Sequence, residues 1–304
     1  MEIVEQFGFL NYPKELNFGH GQIAPRADFE ASLKFVEKYG NRDGYIYPPQ
    51  VRTYCGDFSE ASVSELVPNT ERPAQVFDLP MSHDLIIRDP IDSKDVRHAD
   101  AGLIVHLLAF FFGTRLQFID WSFDGRVPTK PTNSLIYQED VPEHFVTWTY
   151  AKWRAWPTAL QRRFINIIYM HGRARSCLWE WERFIYQYMV FDAIYKFHTE
   201  LGGQSVNGHG RRISGLCQAY GVPENKDLID KISKLRNELF HEALWDGNTP
   251  GLRSGEAFLM EKWLGNLNSR LIVALTGYRN DFTRRGWWFF GWQPFDRLVK
   301  SQDL

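Results

Sequence analysis

Cysteine is scarce in this chain of 304 residues: Cys55, Cys177 and Cys217 are widely spaced and odd in number. That excludes a disulfide framework and leaves no paired-thiolate spacing for zinc, so a reducing, cytoplasmic setting is expected. Long hydrophobic runs are missing as well. The longest, Ile104 to Phe112 with His106 inside it, falls far short of the roughly 20 residues a membrane span needs. Leu178 to Phe197 is rich in apolar residues but carries Glu180, Glu182, Arg183 and Asp192, which makes it a bundle helix and not a span. Met1 is not followed by a basic and then apolar leader, which argues against secretion, and no membrane partner is expected. His20, His83, His98 and His106 share no metal-ligand spacing. Gly19-His20-Gly21 opens no helix with Lys-Ser or Lys-Thr, so neither a metal nor a phosphate-bound cofactor is expected. Internal repeats and low-complexity tracts are absent too.

What is present is ordinary in amount and uneven in placement. A hydrophobic fraction of 44% and a charged fraction of 24% suit a folded protein, and the length allows two domains. Net charge is only −2, yet residues 1–150 hold 13 Lys and Arg against 22 Asp and Glu, and residues 151–304 hold 22 against 15. Such polarity fits contact between the basic half and a polyanion, and it fits equally an attraction between the two halves.

The N-terminal part mixes strands with helices. Glu2 to Leu10 and Tyr45 to Val51 have strand-like composition, and Asp84 to Arg88 and Arg115 to Trp121 follow them. Asp28 to Tyr39 has helical spacing with Asp28 as a candidate N-cap, and Ala99 to Phe112 reads as a buried helix closed by Gly113. Prolines 128, 131, 142 and 157 mark a boundary. The cluster of Trp148, Trp153 and Trp156 beside them is expected to pack between domains. Helices follow at Thr158 to Arg175, Leu178 to Leu201, Arg211 to Tyr220 and Glu256 to Tyr278, with an aromatic tail, Trp287 to Trp292, as apolar cover. The expected architecture is a mixed α+β domain over 1–150, without readable chemistry and assigned a sensor or regulatory role, followed by an all-α helical bundle over 151–304.

One further helix, expected from Glu224 to Asp246 with Gly247 as its C-terminal stop, organises the second half. At about 100° per residue, Leu228, Ile232, Leu235, Leu239 and Ala243 fall within roughly 80° of one another and form a core stripe. Asn237 and His241, four residues apart, share the opposite side. Ile229, Phe240 and Leu244 make a second apolar patch between Arg236 and His241. A helix with two apolar faces is expected to use one for its own bundle and the other for a partner.

The hexapeptide Arg236-Asn237-Glu238-Leu239-Phe240-His241 resembles the signature of HEPN-domain ribonucleases, an Arg and a His separated by four to six residues in an all-helical domain. The spacing alone is weak, since nine His and 23 Arg give roughly two matches by chance. The resemblance extends over residues 158 to 280 through the order of the helices. These are the long aromatic helix with Leu178-Trp179-Glu180-Trp181-Glu182-Arg183-Phe184, the short helix with Arg211-Arg212, and then the motif helix. A preceding non-helical domain makes the chain similar to the ApeA-like antiphage branch. The resemblance implies metal-independent endonucleolytic cleavage of RNA, tRNA or another structured RNA, with His241 as general acid or base. Arg236 would clamp the phosphate and Asn237 would orient the imidazole or the phosphate. It also implies a homodimer that pools two sets of these residues through Ile229, Phe240 and Leu244, inertness toward DNA, and a role as a toxin or antiphage effector. It names neither antitoxin nor trigger. Many members of the family are non-catalytic modules that dimerise and bind RNA or a nucleotide. Outside the family, Arg236 could pair with Asp230 and His241 could serve the helix dipole.

Overall fold

A computed structural model describes residues 2–47, 50–55, 63–68, 76–130, 135–251 and 255–298. The protein is mixed α/β, and the chain divides into two compact units, Met1–Asn133 and Ser134–Leu304.

The first unit is built on a five-stranded antiparallel sheet. Its strands are β1 (Glu2–Gly8), β2 (Leu16–Phe18), β3 (Gly21–Pro25), β4 (His83–Arg88) and β5 (Gln117–Phe118), in the spatial order β2-β3-β4-β1-β5. In the β1–β4 pairing Ile3 lies opposite Ile87 and Phe7 opposite His83. Period-two alternation sends Phe7, Leu85 and Ile87 into the core. Helix α2 (Asp100–Phe112) lies against β4 and is buried along its whole length, which is why its sequence is apolar all round. Gly113, at φ 67°, closes it by donating its backbone N–H to Phe110 O, as the expected stop requires. A second small core gathers Phe9, Ile46, Phe77, Leu79, Phe123 and Val127 around Val36 of α1 (Phe29–Tyr39).

Two strand expectations are corrected. Arg115 to Trp121 pairs only at Gln117–Phe118, because the Arg115 side chain turns to Asp124 and Trp121 already lies in a turn. Tyr45 to Val51 is not one strand but Tyr45–Ile46 and the start of Gln50–Cys55, with Pro48 and Pro49 outside the described residues.

The second unit is helical apart from a short parallel pairing of Leu135–Ile136 with Gln293–Pro294. Its helices are α3 (Val141–Arg154), α4 (Thr158–Arg173), α5 (Glu180–Glu200), α6 (His209–Tyr220), α7 (Lys226–Asn237), α8 (Ala257–Leu275) and the short α9 (Asp281–Arg284). Helix α3 was hidden by the prolines on either side of it. Pro142 is no obstacle there, because it occupies the first turn, where no intrahelical donor is needed. Phe145 of α3 packs edge-on against Tyr278 and Phe295, so α3 belongs to the second unit and the division falls at Asn133/Ser134, ahead of 150/151. Each member of the tryptophan cluster has a partner within this unit. Trp153 Nε1 donates to Gln161 O at 3.0 Å and Trp148 Nε1 to Thr276 O at 3.0 Å. Trp156 packs on Phe164 and Phe197, all within this unit.

Helices α4, α5 and α8 are joined by a buried polar chain. Asn268 Nδ2 donates to Gln187 O at 2.8 Å and to Gln187 Oε1 at 2.9 Å, and His171 Nδ1 sits 2.9 Å from the same Oε1. Ser269 Oγ lies 3.1 Å from His171 Nε2. Burial and the charge of Arg175 push the His171 imidazole down to about 3, so it is neutral at pH 7. In the aromatic tail Trp287 is buried and its Nε1 donates to Pro223 O, whereas Phe289 and Trp292 are exposed.

Candidate functional site around Arg236 and His241

Asn225 starts α7, its side-chain oxygen accepting from Leu228 N at 3.2 Å. Leu228, Ile232, Leu235 and Leu239 are buried, as the stripe predicts. Ala243 departs from it and is exposed, because the helix has ended by then. The expected single helix from Glu224 to Asp246 is replaced by α7 and a π-turn, Glu238–Glu242, in which Ala243 N donates to Glu238 O. Ala243 itself is left-handed, at φ 55°. Beyond it Trp245 is fully buried against Phe184, and its backbone pairs with Asn248, which holds the exit of the turn in place.

The π-turn decides the geometry. On a regular α-helix, residues five apart stand about 140° from each other, out of mutual reach. Closing the chain i to i+5 brings residues five apart toward one side. Arg236 Nη1 accordingly donates to His241 Nε2 at 2.9 Å and to Asn237 Oδ1 at 3.2 Å. All three sequence-predicted residues are therefore in one cluster, with Asn237 and His241 exposed and Arg236 half-buried. Arg236 can only donate, so His241 Nε2 is an acceptor here and the ring proton sits on Nδ1. The guanidinium lies 5.0 Å from the Phe240 ring centroid and 5.7 Å from that of Tyr188, and its Nε is buried with no hydrogen-bond partner among the described residues.

Ile229 does not belong to the second apolar patch. It is buried, with Cγ2 facing α6 at 3.5 Å from where a Cβ on Gly210 would stand. Phe240 is 44% exposed and Leu244 is half-buried, so the apolar surface beside the Arg–His pair is carried by Phe240.

Four further side chains complete the cluster, and the sequence reading missed them. Tyr188 and Asp192 sit one turn apart on α5, and His209 and Arg212 lie in the first turn of α6. Tyr188 Oη is 2.6 Å from His209 Nδ1, and Arg212 Nη1 is 3.7 Å from Asp192 Oδ1. Burial raises the Tyr188 phenol well above its ordinary range, keeping it protonated. Burial also raises the Asp192 carboxyl, against the opposing pull of Arg212. Burial first, then the charges of Arg236, Arg212 and His241, lowers the His209 imidazole, while Asp192 works the other way. The one sequence signal that could have found His209 is its place directly after Asn207-Gly208 and before Arg211-Arg212, at the start of a helix.

No family model, curated protein or solved structure matches this chain. The site is therefore interpreted from its own chemistry. The guanidinium groups of Arg236 and Arg212 outnumber the carboxylate of Asp192 in it, and the imidazoles of His209 and His241 stand beside them. Such an arrangement suits a phosphodiester: forked donors for the non-bridging oxygens and imidazoles for proton transfer. Among the described residues no group of three or more His, Cys, Asp or Glu is placed to hold a metal, and no helix is long and apolar enough to cross a membrane.

Proposed function

We propose that the second unit is a HEPN-like bundle that cleaves RNA internally by attack of a 2′-hydroxyl on the adjacent phosphate, with Arg236, Asn237 and His241 at its centre. The observation that carries this reading is the 2.9 Å contact between Arg236 Nη1 and His241 Nε2 on a solvent-facing π-turn. An anionic phosphate competes for Arg236, so substrate binding would draw the guanidinium off His241 and open Nε2 for proton transfer. Arg236 would then stabilise the charge gathering on the phosphorane. Asn237, bonded to the same guanidinium nitrogen, would steer it between the two positions.

The partners follow from the same reading: structured RNA such as tRNA, and a second copy of the chain seated over exposed Phe240. A harmful cytoplasmic nuclease of this kind fits a toxin or antiphage effector, with the first unit as its regulatory part. Incubating the protein with tRNA in chelator, beside Arg236→Ala and His241→Ala, tests the activity. Loss of cleavage in both variants is the expected result, and cleavage undiminished in either contradicts it. Sedimentation of Phe240→Glu tests the dimer, a lower mass than wild type being expected.

A second reading is favoured by the same hydrogen bond. With Nε2 occupied, the site also fits a non-catalytic module that would bind RNA or a nucleotide through Arg236. RNA affinity that survives His241→Ala, with no cleavage by wild type, would mark that module.

A further inference from the structure

Transesterification needs two proton transfers, one from the 2′-hydroxyl and one to the departing 5′-oxygen. His241 can supply one of them. A symmetric dimer would draw the other from the partner's copy of the same helix, but a second imidazole already stands in the same chain. His209 enters from α6, with its ring edge-on to Tyr188 at 5.7 Å between centroids and its Nδ1 2.6 Å from the phenol oxygen. The Tyr188 ring in turn carries the Arg236 guanidinium, 5.7 Å from its centroid, and packs 6.1 Å from Phe240. One buried phenol thus joins the His209 imidazole to the arginine that holds His241.

Each histidine has one nitrogen engaged and one without a hydrogen bond among the described residues. His209 is held at Nδ1 by Tyr188, and His241 at Nε2 by Arg236. In the tautomer where His209 Nδ1–H donates to the phenol oxygen, Nε2 keeps an open lone pair, and the ring is only half-buried. Burial together with Arg236 and Arg212 favours the neutral ring, the form a base requires.

Resting on the ribonuclease reading above, we propose that His209 takes the 2′-hydroxyl proton while His241 delivers the proton to the leaving 5′-oxygen. The 2′-O–H bond breaks toward His209 Nε2 and the 2′-oxygen bonds to phosphorus. The P–O5′ bond then breaks, and its electron pair takes a proton from His241 Nε2, which takes that proton up from solvent once Arg236 has moved to the phosphate. The products are a 2′,3′-cyclic phosphate and a 5′-hydroxyl. Tyr188 is the positioning residue that orients His209. Both proton-transfer groups then come from one chain, and a second copy is not needed to supply the second histidine.

The test compares an RNA with the same RNA carrying sulfur in place of the bridging 5′-oxygen, since a thiolate leaves without being protonated. His209→Gln and His209→Ala are each expected to lose about 100-fold or more on both substrates. His241→Gln is expected to lose as much on the oxygen substrate and to recover to within about tenfold of wild type on the sulfur one. Tyr188→Phe should move the acidic limb of the kcat/KM pH profile while the fold, read by far-UV circular dichroism, is kept. His209 variants within about threefold of wild type overturn the inference, and so does sulfur rescue of His209→Gln in place of His241→Gln. Those results leave the ribonuclease reading standing as long as His241 is required. A wild-type protein that cleaves neither substrate overturns both.

Discussion

Arg236 is the residue whose chemistry is least replaceable. Its Nη1 already donates to Asn237 and His241 at once, and its face is covered by two aromatic rings. A lysine keeps the charge but loses the fork and the planar stacking surface. On the proposed ribonuclease function, Arg236→Lys is therefore expected to lose RNA cleavage almost as fully as Arg236→Ala, by about 100-fold or more. A lysine variant with near wild-type kcat/KM would show that charge alone suffices. A second residue-scale prediction concerns His171, whose folded-state value of about 3 lies far below the 6.5 of a free imidazole. Between those values the unfolded chain binds the proton and the folded one does not, so stability falls as pH falls from about 6.5 toward about 3. Each such histidine contributes up to about 1.4 kcal/mol per pH unit in that window. His171→Gln should flatten the decline in urea midpoints between neutral and acidic pH, and an unchanged slope would place the proton uptake elsewhere.

At the scale of elements, α7 and the π-turn after it hold the site. The Asn225 side chain caps the start of α7 by accepting from Leu228 N, and Asn225→Ala should cost about 1 kcal/mol in thermal or urea unfolding. Ala243 holds a left-handed conformation that a Cβ disfavours by roughly 1 kcal/mol. Ala243→Gly is expected to raise stability or leave it unchanged, and a clear loss would mean that the turn is not closed as described. This helix also shows what could be read from sequence. The period-3.6 stripe located Leu228, Ile232, Leu235 and Leu239 correctly, because burial along one face leaves a pattern. The π-turn leaves none, since it depends on where the chain must go afterwards to bury Trp245. A regular wheel carried past Asn237 therefore misplaces Ala243. Ile229 was misassigned for a different reason: a wheel shows that a residue is apolar but not that α6 will come to cover it.

At the scale of the whole molecule, the first unit combines a five-stranded sheet with helices α1 and α2, and the second is mainly helical. The boundary was hard to read because prolines act both as helix starters and as breakers, and Pro142 is a starter. His209 is hard to find in the sequence because its place beside Tyr188 depends on α6 docking against α5, and no local pattern records that contact. The second unit has its own core and its own buried polar chain from His171 through Gln187 to Asn268. A chain of residues 134–304 is expected to unfold cooperatively by itself, with a single thermal transition by circular dichroism. A fragment without such a transition would show that the second unit depends on the first for its fold.

The account turns on whether the Arg236–His241 site breaks RNA through its 2′-hydroxyl. The most direct measurement is end-group analysis of RNA incubated in chelator with wild-type protein and with His241→Ala. The expected result is a 2′,3′-cyclic phosphate and a 5′-hydroxyl from wild type and intact RNA from the variant. Intact RNA with both proteins, or fragments with 5′-phosphates, would contradict it.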